Sequence, residues 1–578
     1  MATSEVSTNF TYDPRPRNGL AHVIGDIGPE LWSRTIPATL KATVKAEGGR
    51  EAVLFVEQGV RWTWSEFAEE VDALAAGILG LGLKKGDRVG IWSPNRYEWL
   101  LTQFATARLG VILVTINPAY RVAEVEYVLN KVSCVALVTA TDFKASDYVG
   151  MLRSLAPELS ASEAGALRAE RLPHLKSIIK MGDETERGFF RFADVLENGR
   201  GAEPAGLDAI SAKLMPDDPI NIQFTSGTTG APKGATLTHA NIVNNGRFVA
   251  AAQNFTNRDR LCIPVPLYHC FAMVLGTLGC VSTGTTMVFP SEGFDPDLVL
   301  KSASDEQCTA IYGVPTMFVA MLEHSEFAQF DLSAMRTGVM AGAPCPIEVM
   351  KRCVAEMNLS EMTIAYGMTE TSPVSFQTSA EDPLERRVTT VGRIHPHVEC
   401  KVIDAVGATV LPGVQGELCT RGYSVMKGYW EDDERTAEVI DSEGWMHTGD
   451  LATIDDEGYC NITGRVNDMV IRGGENVYPR EIEESLYGHP SVQEVQVFGI
   501  PDKRLGEEVC AWVVLKNGES VTESDIKEFC RGQMAHYKVP RYVRFKDHLP
   551  LTVTGKAQKF KMRDVMMEEL GLQAERTA

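Results

Sequence analysis

Four hydroxyl side chains and three glycines stand within ten residues at Thr225, Ser226, Gly227, Thr228, Thr229, Gly230, Ala231, Pro232, Lys233 and Gly234. Hydroxyls and backbone N–H groups in such a loop donate to an anion, and glycine lets the backbone approach it closely. Lys233 adds a cation. The apolar run at 220–224 leads into the loop, so a buried strand would deliver it to a phosphate. The G-x-x-x-x-G-K-[ST] spacing of a Walker A loop is absent, which disfavours P-loop kinases and GTPases. A second cationic feature lies near the C-terminus, where nine Lys or Arg and one Asp fall between Arg531 and Arg563. It reads either as a solvated face or as a patch that meets phosphates when a small domain closes on a ligand.

The elements that must carry these residues alternate in type. Thr63 and Glu66 form a capping box, and Phe67, Val71, Leu74, Ile78 and Leu81 recur at helical spacing. A short apolar strand is expected over 89–92, a helix over 99–108 and a buried strand over 111–116. Helices alternating with buried apolar strands imply an α/β architecture with largely parallel sheets. The segment 156–206 is polar and irregular, and reads as a peripheral insertion. From about Val402 short strands and glycine turns take over. The stretch from Asp468 onward is α+β in pattern and, at about one hundred residues, large enough for a domain. The uncharged run 271–290 is too rich in Thr, Ser and Gly in its second half for a membrane span. A buried helix followed by a buried strand is expected there, and no transmembrane segment.

Size and charge bound the function. A chain of 578 residues is too long for one core and implies two to four domains or subdomains. A net charge of −21 argues against nucleic acid as the main partner. Twelve cysteines are scattered with no Cys-x-x-Cys pair, which fits reduced thiols in a cytoplasmic enzyme better than a disulfide frame or a zinc site. The first residues lack the apolar core of a signal peptide, and their acidic residues do not suit a transit peptide.

Five motifs in order give the chain a family resemblance. They are the loop at 225–234, TyrGlyMetThrGlu at 366–370, TrpMetHisThrGlyAsp at 445–450, GlyArgValAsnAspMetValIleArgGlyGlyGluAsn at 464–476, and ThrGlyLys at 554–556. The chain resembles the adenylate-forming acyl-CoA synthetases, aryl-CoA ligases, peptide-synthetase adenylation domains and luciferases. IleAsnProAlaTyrArg at 116–121 and ProLeuTyrHis at 266–269 make it most similar to medium-chain fatty acyl-CoA synthetases.

The resemblance implies a large N-terminal domain over 1–466, built of subdomains with parallel sheets and a small barrel-like part at about 400–466. A small mobile α+β domain follows over 467–578, pivoting at Asn467, where many relatives carry Asp or Lys. It implies ATP, Mg²⁺ and coenzyme A as cofactors. By the same resemblance Tyr366 with Gly367 faces the adenine, Thr369 hydrogen-bonds the α-phosphate, and Glu370 with Thr229 holds Mg²⁺. Asp450 accepts the ribose hydroxyls and Arg465 stands beside them. Lys556 becomes the catalytic residue, an ammonium reaching both the substrate carboxylate and the α-phosphate. After rotation of the small domain, Arg472, Gly473 and Gly474 replace it and admit the pantetheine arm. His269 is expected as a gate or orienting residue, with a satisfied core histidine left open beside it. Tyr268, Phe271, Gly313, Met340, Gly342 and Ala343 would line an acyl site.

The activity implied by the resemblance is that of an AMP-forming acyl-CoA synthetase, which adenylates a carboxylic acid, a medium-chain fatty acid in first place, and transfers the acyl group to coenzyme A. No carrier domain follows Lys556, so coenzyme A is the expected thiol acceptor. An aryl or short- or branched-acid CoA ligase, and a freestanding enzyme that loads a carrier protein, are the alternatives. A silent nucleotide-binding protein is disfavoured by the joint presence of Lys556, Glu370 and Asp450. A homodimer is compatible with the sequence.

Overall fold

A computed structural model of the chain describes residues 13–225, 232–343, 345–473, 475–502, 504–531, 533–552 and 555–572. Two large sheets dominate. In the first, six strands run parallel in the spatial order Phe189–Arg191, Ser177–Lys180, Ala136–Thr139, Arg88–Trp92, Ile112–Ile116 and Pro219–Thr225. Lys233–Thr238 and Gly428–Tyr429 close its edge in antiparallel sense. The second sheet has a parallel centre made of Glu361–Gly367, Thr337–Ala341, Ala310–Gly313, Arg260–Cys262, Thr286–Phe289 and Glu51–Phe55. Parallel strands buried on both faces need near-continuous apolar sequence, as Ile112–Ile116 and Thr286–Phe289 have.

The expected helices form where their caps lie. Thr63 accepts from the Glu66 backbone N–H, and the Glu66 carboxylate accepts from Thr63 in return, starting the helix Trp64–Gly80. Tyr97–Leu109 is buried along almost its whole length between elements of the core. The run after Cys270 is helical and then extended, as expected, but it opens as a π-helix over Phe271–Leu278 before the helix Gly279–Thr283 and the strand Thr286–Phe289. Among the described residues no helix is long and apolar enough to cross a membrane.

One expectation is overturned. The segment 156–206 is not a peripheral insertion: Ser177–Lys180 and Phe189–Arg191 extend the first sheet in parallel. The helix Phe192–Gly199 then buries Phe192, Val195 and Leu196. The strands are only four and three residues long, too short to show a period in sequence.

The change of style near Val402 is a third, antiparallel sheet of His22–Ile24, Val398–Ile403, Gly416–Gly422, Met446–Ile454 and Cys460–Arg465. Beyond it, a cluster of buried apolar side chains from Val470 to Val543 forms around the hairpin Val492–Asp502 and Gly506–Leu515. A neighbouring cluster joins Phe498, Trp512 and Leu549 to Met562 and Met566 of the helix Lys559–Glu569.

Candidate active site

The site lies where the carboxyl ends of strands from both large sheets meet the third sheet. That is the place where open α/β sheets bind ligands. Strand Pro219–Thr225 runs into the hydroxyl-rich loop, and Thr225 pairs with Lys233 on its far side. Ser226, Gly227, Thr228, Thr229, Gly230 and Ala231 lie outside the described residues, as does Gly474.

Strand Glu361–Gly367 delivers Tyr366 and Gly367, and a short turn over Thr369–Thr371 places Thr369 and Glu370 directly after them. The Tyr366 phenol donates to Asp450 Oδ2 at 2.6 Å. Arg465 Nε donates to the other oxygen, Oδ1, at 3.1 Å, and the two residues face each other across the third sheet. A bulge presents Asp450. Glu417 pairs with Leu451 and Cys419 with His447, so Thr448, Gly449 and Asp450 stand opposite Leu418 alone. Burial, and then the adjacent Asp450 carboxylate, push the Tyr366 phenol well above its ordinary range, so it remains a donor.

Glu370 is almost fully buried, and its Oε1 accepts from the Tyr429 phenol at 2.9 Å. Among the described residues no hydrogen bond engages its other oxygen, Oε2. A buried carboxylate with one oxygen left over is a donor that fits a hard divalent cation such as Mg²⁺. Tyr429 was not singled out by the sequence, where a lone tyrosine after glycine carries no signal. The register of its two-residue strand against Lys233–Thr238 brings it here, with the Lys233 ammonium 5.0 Å from its ring centroid.

Lys556 comes to this cluster from near the C-terminus. Its loop docks on the turn before helix Pro315–Leu322: Gly555 has φ +75°, and a Cβ there would stand 2.7 Å from Val314 Cγ2 and 2.8 Å from Thr316 Oγ1. The Thr552 hydroxyl accepts from the Lys556 N–H at 2.9 Å. The side chain reaches over Gly342, whose added Cβ would lie 3.9 Å from Lys556 Cε. Burial, followed by the like charge of Arg465, holds the ammonium below the usual lysine value, while Cys270, Asp450 and Glu370 oppose that shift. Thus Lys556, Gly342, Thr369, Glu370, Tyr366, Asp450 and Arg465 converge, with Ala343 next to Gly342.

His269 and Cys270 border the same cluster, Cys270 Sγ lying 3.9 Å from Thr369 Oγ1. His269 Nδ1 accepts from the Phe271 N–H at 3.1 Å, which puts the ring proton on Nε2. Burial, and secondarily the charge of Lys556, lower its pKa to about 3. A neutral ring with its one lone pair occupied can donate and orient, and is no general base. Phe271 stacks on Tyr312 with centroids 5.5 Å apart. Met340 does not join them: it packs in the other large apolar cluster, because strand alternation turns it away from its neighbours Val339 and Ala341.

Arg472 and Gly473 are not brought to the cluster. Arg472 Nε pairs with the buried Glu508 at 2.7 Å, and its Nη1 donates to the Tyr537 carbonyl at 2.6 Å. A Cβ at Gly473 would lie 3.1 Å from Leu505 Cδ2, within the C-terminal part of the chain.

Comparison with known proteins shows the family. The profile of the family described as AMP-binding enzyme matches residues 40–430, and that of its C-terminal domain matches 481–556. The chain is 48% identical over 555 residues to the medium-chain acyl-CoA ligase ACSF2, mitochondrial, of Danio rerio, covering 96% of this chain and 91% of that protein. It is 47% identical over 544 residues to the putative acyl-CoA synthetase YngI of Bacillus subtilis (strain 168), covering 94% and 99%. Among solved structures it is similar to the anthranilate CoA ligase AuaEII in complex with anthranoyl-AMP, at 25% identity and a TM-score of 0.84 over 93% of this chain and 98% of that one. ATP-bound MatB from Rhodopseudomonas palustris aligns at 27% identity and a TM-score of 0.77, covering 93% and 100%. The chain belongs to the AMP-binding enzyme family and is an AMP-forming acyl-CoA ligase.

Proposed function

We propose that this ligase acts on a medium-chain fatty acid, with Lys556, Thr369, Glu370 and Asp450 as its working residues. In the first half-reaction a carboxylate oxygen of the acid attacks the α-phosphorus of ATP, the bond to the β-phosphate bridge breaks, and pyrophosphate leaves. In the second, the coenzyme A sulfur attacks the acyl carbonyl, its proton passes to solvent, and AMP leaves with the electron pair. The barrier to the first step is electrostatic, since anionic groups must converge on one phosphorus.

Lys556 bridges the carboxylate and the α-phosphate and offsets their repulsion. Thr369 donates to an α-phosphate oxygen. Asp450 takes the ribose hydroxyls, exchanging its present bonds from Tyr366 and Arg465 for those of the nucleotide. Tyr366 and Gly367 face the adenine, and Gly342, under the Lys556 side chain, borders the nucleotide and acyl sites. Glu370 and Thr229 would hold a magnesium ion, which would supply positive charge beside the triphosphate. The hydroxyls and N–H groups of the segment 225–233 would donate to the phosphates. His269, fixed as an Nε2–H donor, orients the carboxylate at the mouth of the acyl site.

The observation that carries this reading is the position of Lys556. Lys556 stands among charged groups that distant segments supply, Glu370, Asp450 and Arg465, with Cys270 beside them. The separate apolar cluster that begins at Val470 supports a division into 1–466 and 467–578 with its pivot at Asn467. Rotation there would withdraw Lys556 and bring the Arg472–Gly474 loop to the pantetheine arm. The relatives named as medium-chain ligases support the acid class. Twelve cysteines that are all free and buried support a reducing compartment, the cytoplasm.

Pyrophosphate release measured with straight-chain, branched and aromatic acids, with and without coenzyme A, tests the proposal. Medium straight-chain acids should give the highest kcat/KM, and the thioester should form only when coenzyme A is present. A preference for aromatic acids, or acyl transfer only to a carrier protein, would overturn it.

A further inference from the structure

We infer that Glu417, Cys419 and His447 form a zinc site on the third sheet, separate from the magnesium carboxylate. Glu417 and Cys419 are two apart on strand Gly416–Gly422, so their side chains leave the same face. His447 is the direct cross-strand partner of Cys419 on Met446–Ile454. Their donor atoms all lie within 4.8 Å of one another.

The spacing matches a tetrahedral ion. With ordinary Zn–S, Zn–N and Zn–O bond lengths, the edges of such a tetrahedron are about 3.6 Å for S···N and about 3.4 Å for N···O. Cys419 Sγ stands 3.6 Å from His447 Nδ1, and Nδ1 stands 3.1 Å from Glu417 Oε2. A borderline-soft cation suits a thiolate, an imidazole and a carboxylate, whereas Mg²⁺ avoids sulfur. Glu417 and His447 are 27% and 35% exposed, which leaves solvent a route to a fourth, water-filled position.

The ligand set is already oriented. Glu417 Oε1 accepts from the Gly449 N–H at 3.2 Å, leaving Oε2 turned to the ring. Trp445 and Ile403 wall the buried thiol. Binding exchanges the Cys419 proton, released to solvent, for the Zn–S bond. Gly449, held by Glu417, directly precedes Asp450, so the ion would brace the bulge that presents the nucleotide carboxylate. Spacing along the chain hides this set, because the sheet register unites positions 417, 419 and 447.

Full-length protein stripped by a chelator and titrated with Zn²⁺ or Co²⁺ tests the inference. Wild type should bind one equivalent of Zn²⁺, and Co²⁺ should give a thiolate-to-cobalt charge-transfer band with intense tetrahedral d–d absorption. Cys419→Ser should abolish that band and weaken Zn²⁺ binding by more than about tenfold. His447→Gln should weaken binding similarly while keeping the thiolate band at high Co²⁺. A wild-type cobalt spectrum without thiolate character, or Zn²⁺ affinity unchanged in Cys419→Ser, would overturn it. The second result would assign the metal to another carboxylate site such as Glu370.

Discussion

The Tyr429 phenol holds Glu370 at 2.9 Å while the Lys233 ammonium lies over the same ring. One tyrosine thus joins Lys233 to the carboxylate proposed to hold the metal. Tyr429→Phe keeps the ring and its cation–π contact but frees Glu370 to turn. A hydrogen bond to a charged group is worth about 1.5–3 kcal/mol. The rate of pyrophosphate release should fall by about tenfold or more and need higher Mg²⁺ for saturation. The KM for the acid should stay unchanged. Magnesium titrations of both enzymes check this, and an unaltered Mg²⁺ requirement would reduce Tyr429 to a packing residue.

Gly342 carries the second prediction. Its φ is +88°, and an added methyl would stand 3.2 Å from Val314 Cγ1 and 3.9 Å from Lys556 Cε. Gly342→Ala therefore strains the backbone by about 1–2 kcal/mol and crowds the lysine's approach. Adenylation should slow by about tenfold, with a smaller effect on thioester formation from supplied acyl-adenylate. Equal slowing of both steps would mean that the contact is unrelated to Lys556.

Arg472 separates a structural from a site role. It is paired with Glu508, which is 2% exposed, and tied to the Tyr537 carbonyl. Arg472→Ala would leave that carboxylate with Arg541 as its remaining cation. Breaking a buried pair in this way costs about 3–5 kcal/mol. Chemical denaturation should show the C-terminal part unfolding earlier by a comparable amount. Full stability with a raised KM for coenzyme A would instead make Arg472 a ligand residue alone.

Acid sensitivity follows from three buried rings. Burial lowers His239, His269 and His395 from 6.5 to about 3. Each binds its proton more readily in the unfolded chain, so its contribution is fully present above about pH 6.5 and is lost as pH falls towards 3. The loss is on the order of a few kcal/mol per ring. His239 Nδ1 accepts from the Ile36 N–H at 3.2 Å, a role that an asparagine oxygen can take. His239→Asn should flatten the fall of Tm between pH 6.5 and 4. An unchanged slope would remove His239 from the account.

Much of this was legible in the sequence, for reasons that differ by residue. The Thr63–Glu66 capping box and the apolar strand at 112–116 are local patterns that tertiary structure had no cause to override. Tyr366, Glu370, Asp450 and Lys556 were found through ordered motifs, and folding brings them together from segments that composition could not relate. The strands at 177–180 and 189–191 were missed because four and three residues show no period. Met340 was misplaced because its face depends on strand register, which a glycine-rich apolar segment does not announce. Tyr429 and the Glu417–Cys419–His447 set were invisible for a related reason: their partners lie across a sheet.

The proposed adenylation depends on Lys556, and separating the two half-reactions tests that dependence most directly. ATP–pyrophosphate exchange with a medium-chain acid reports adenylation, and coenzyme A attack on supplied acyl-adenylate reports transfer. Because burial and Arg465 lower its pKa, wild-type exchange should fall as pH climbs through a value below that of free lysine. Lys556→Ala should lower exchange by about 10² to 10⁴-fold and leave transfer within a few-fold of wild type. Comparable loss in both steps, or exchange that survives the substitution, would contradict the central claim.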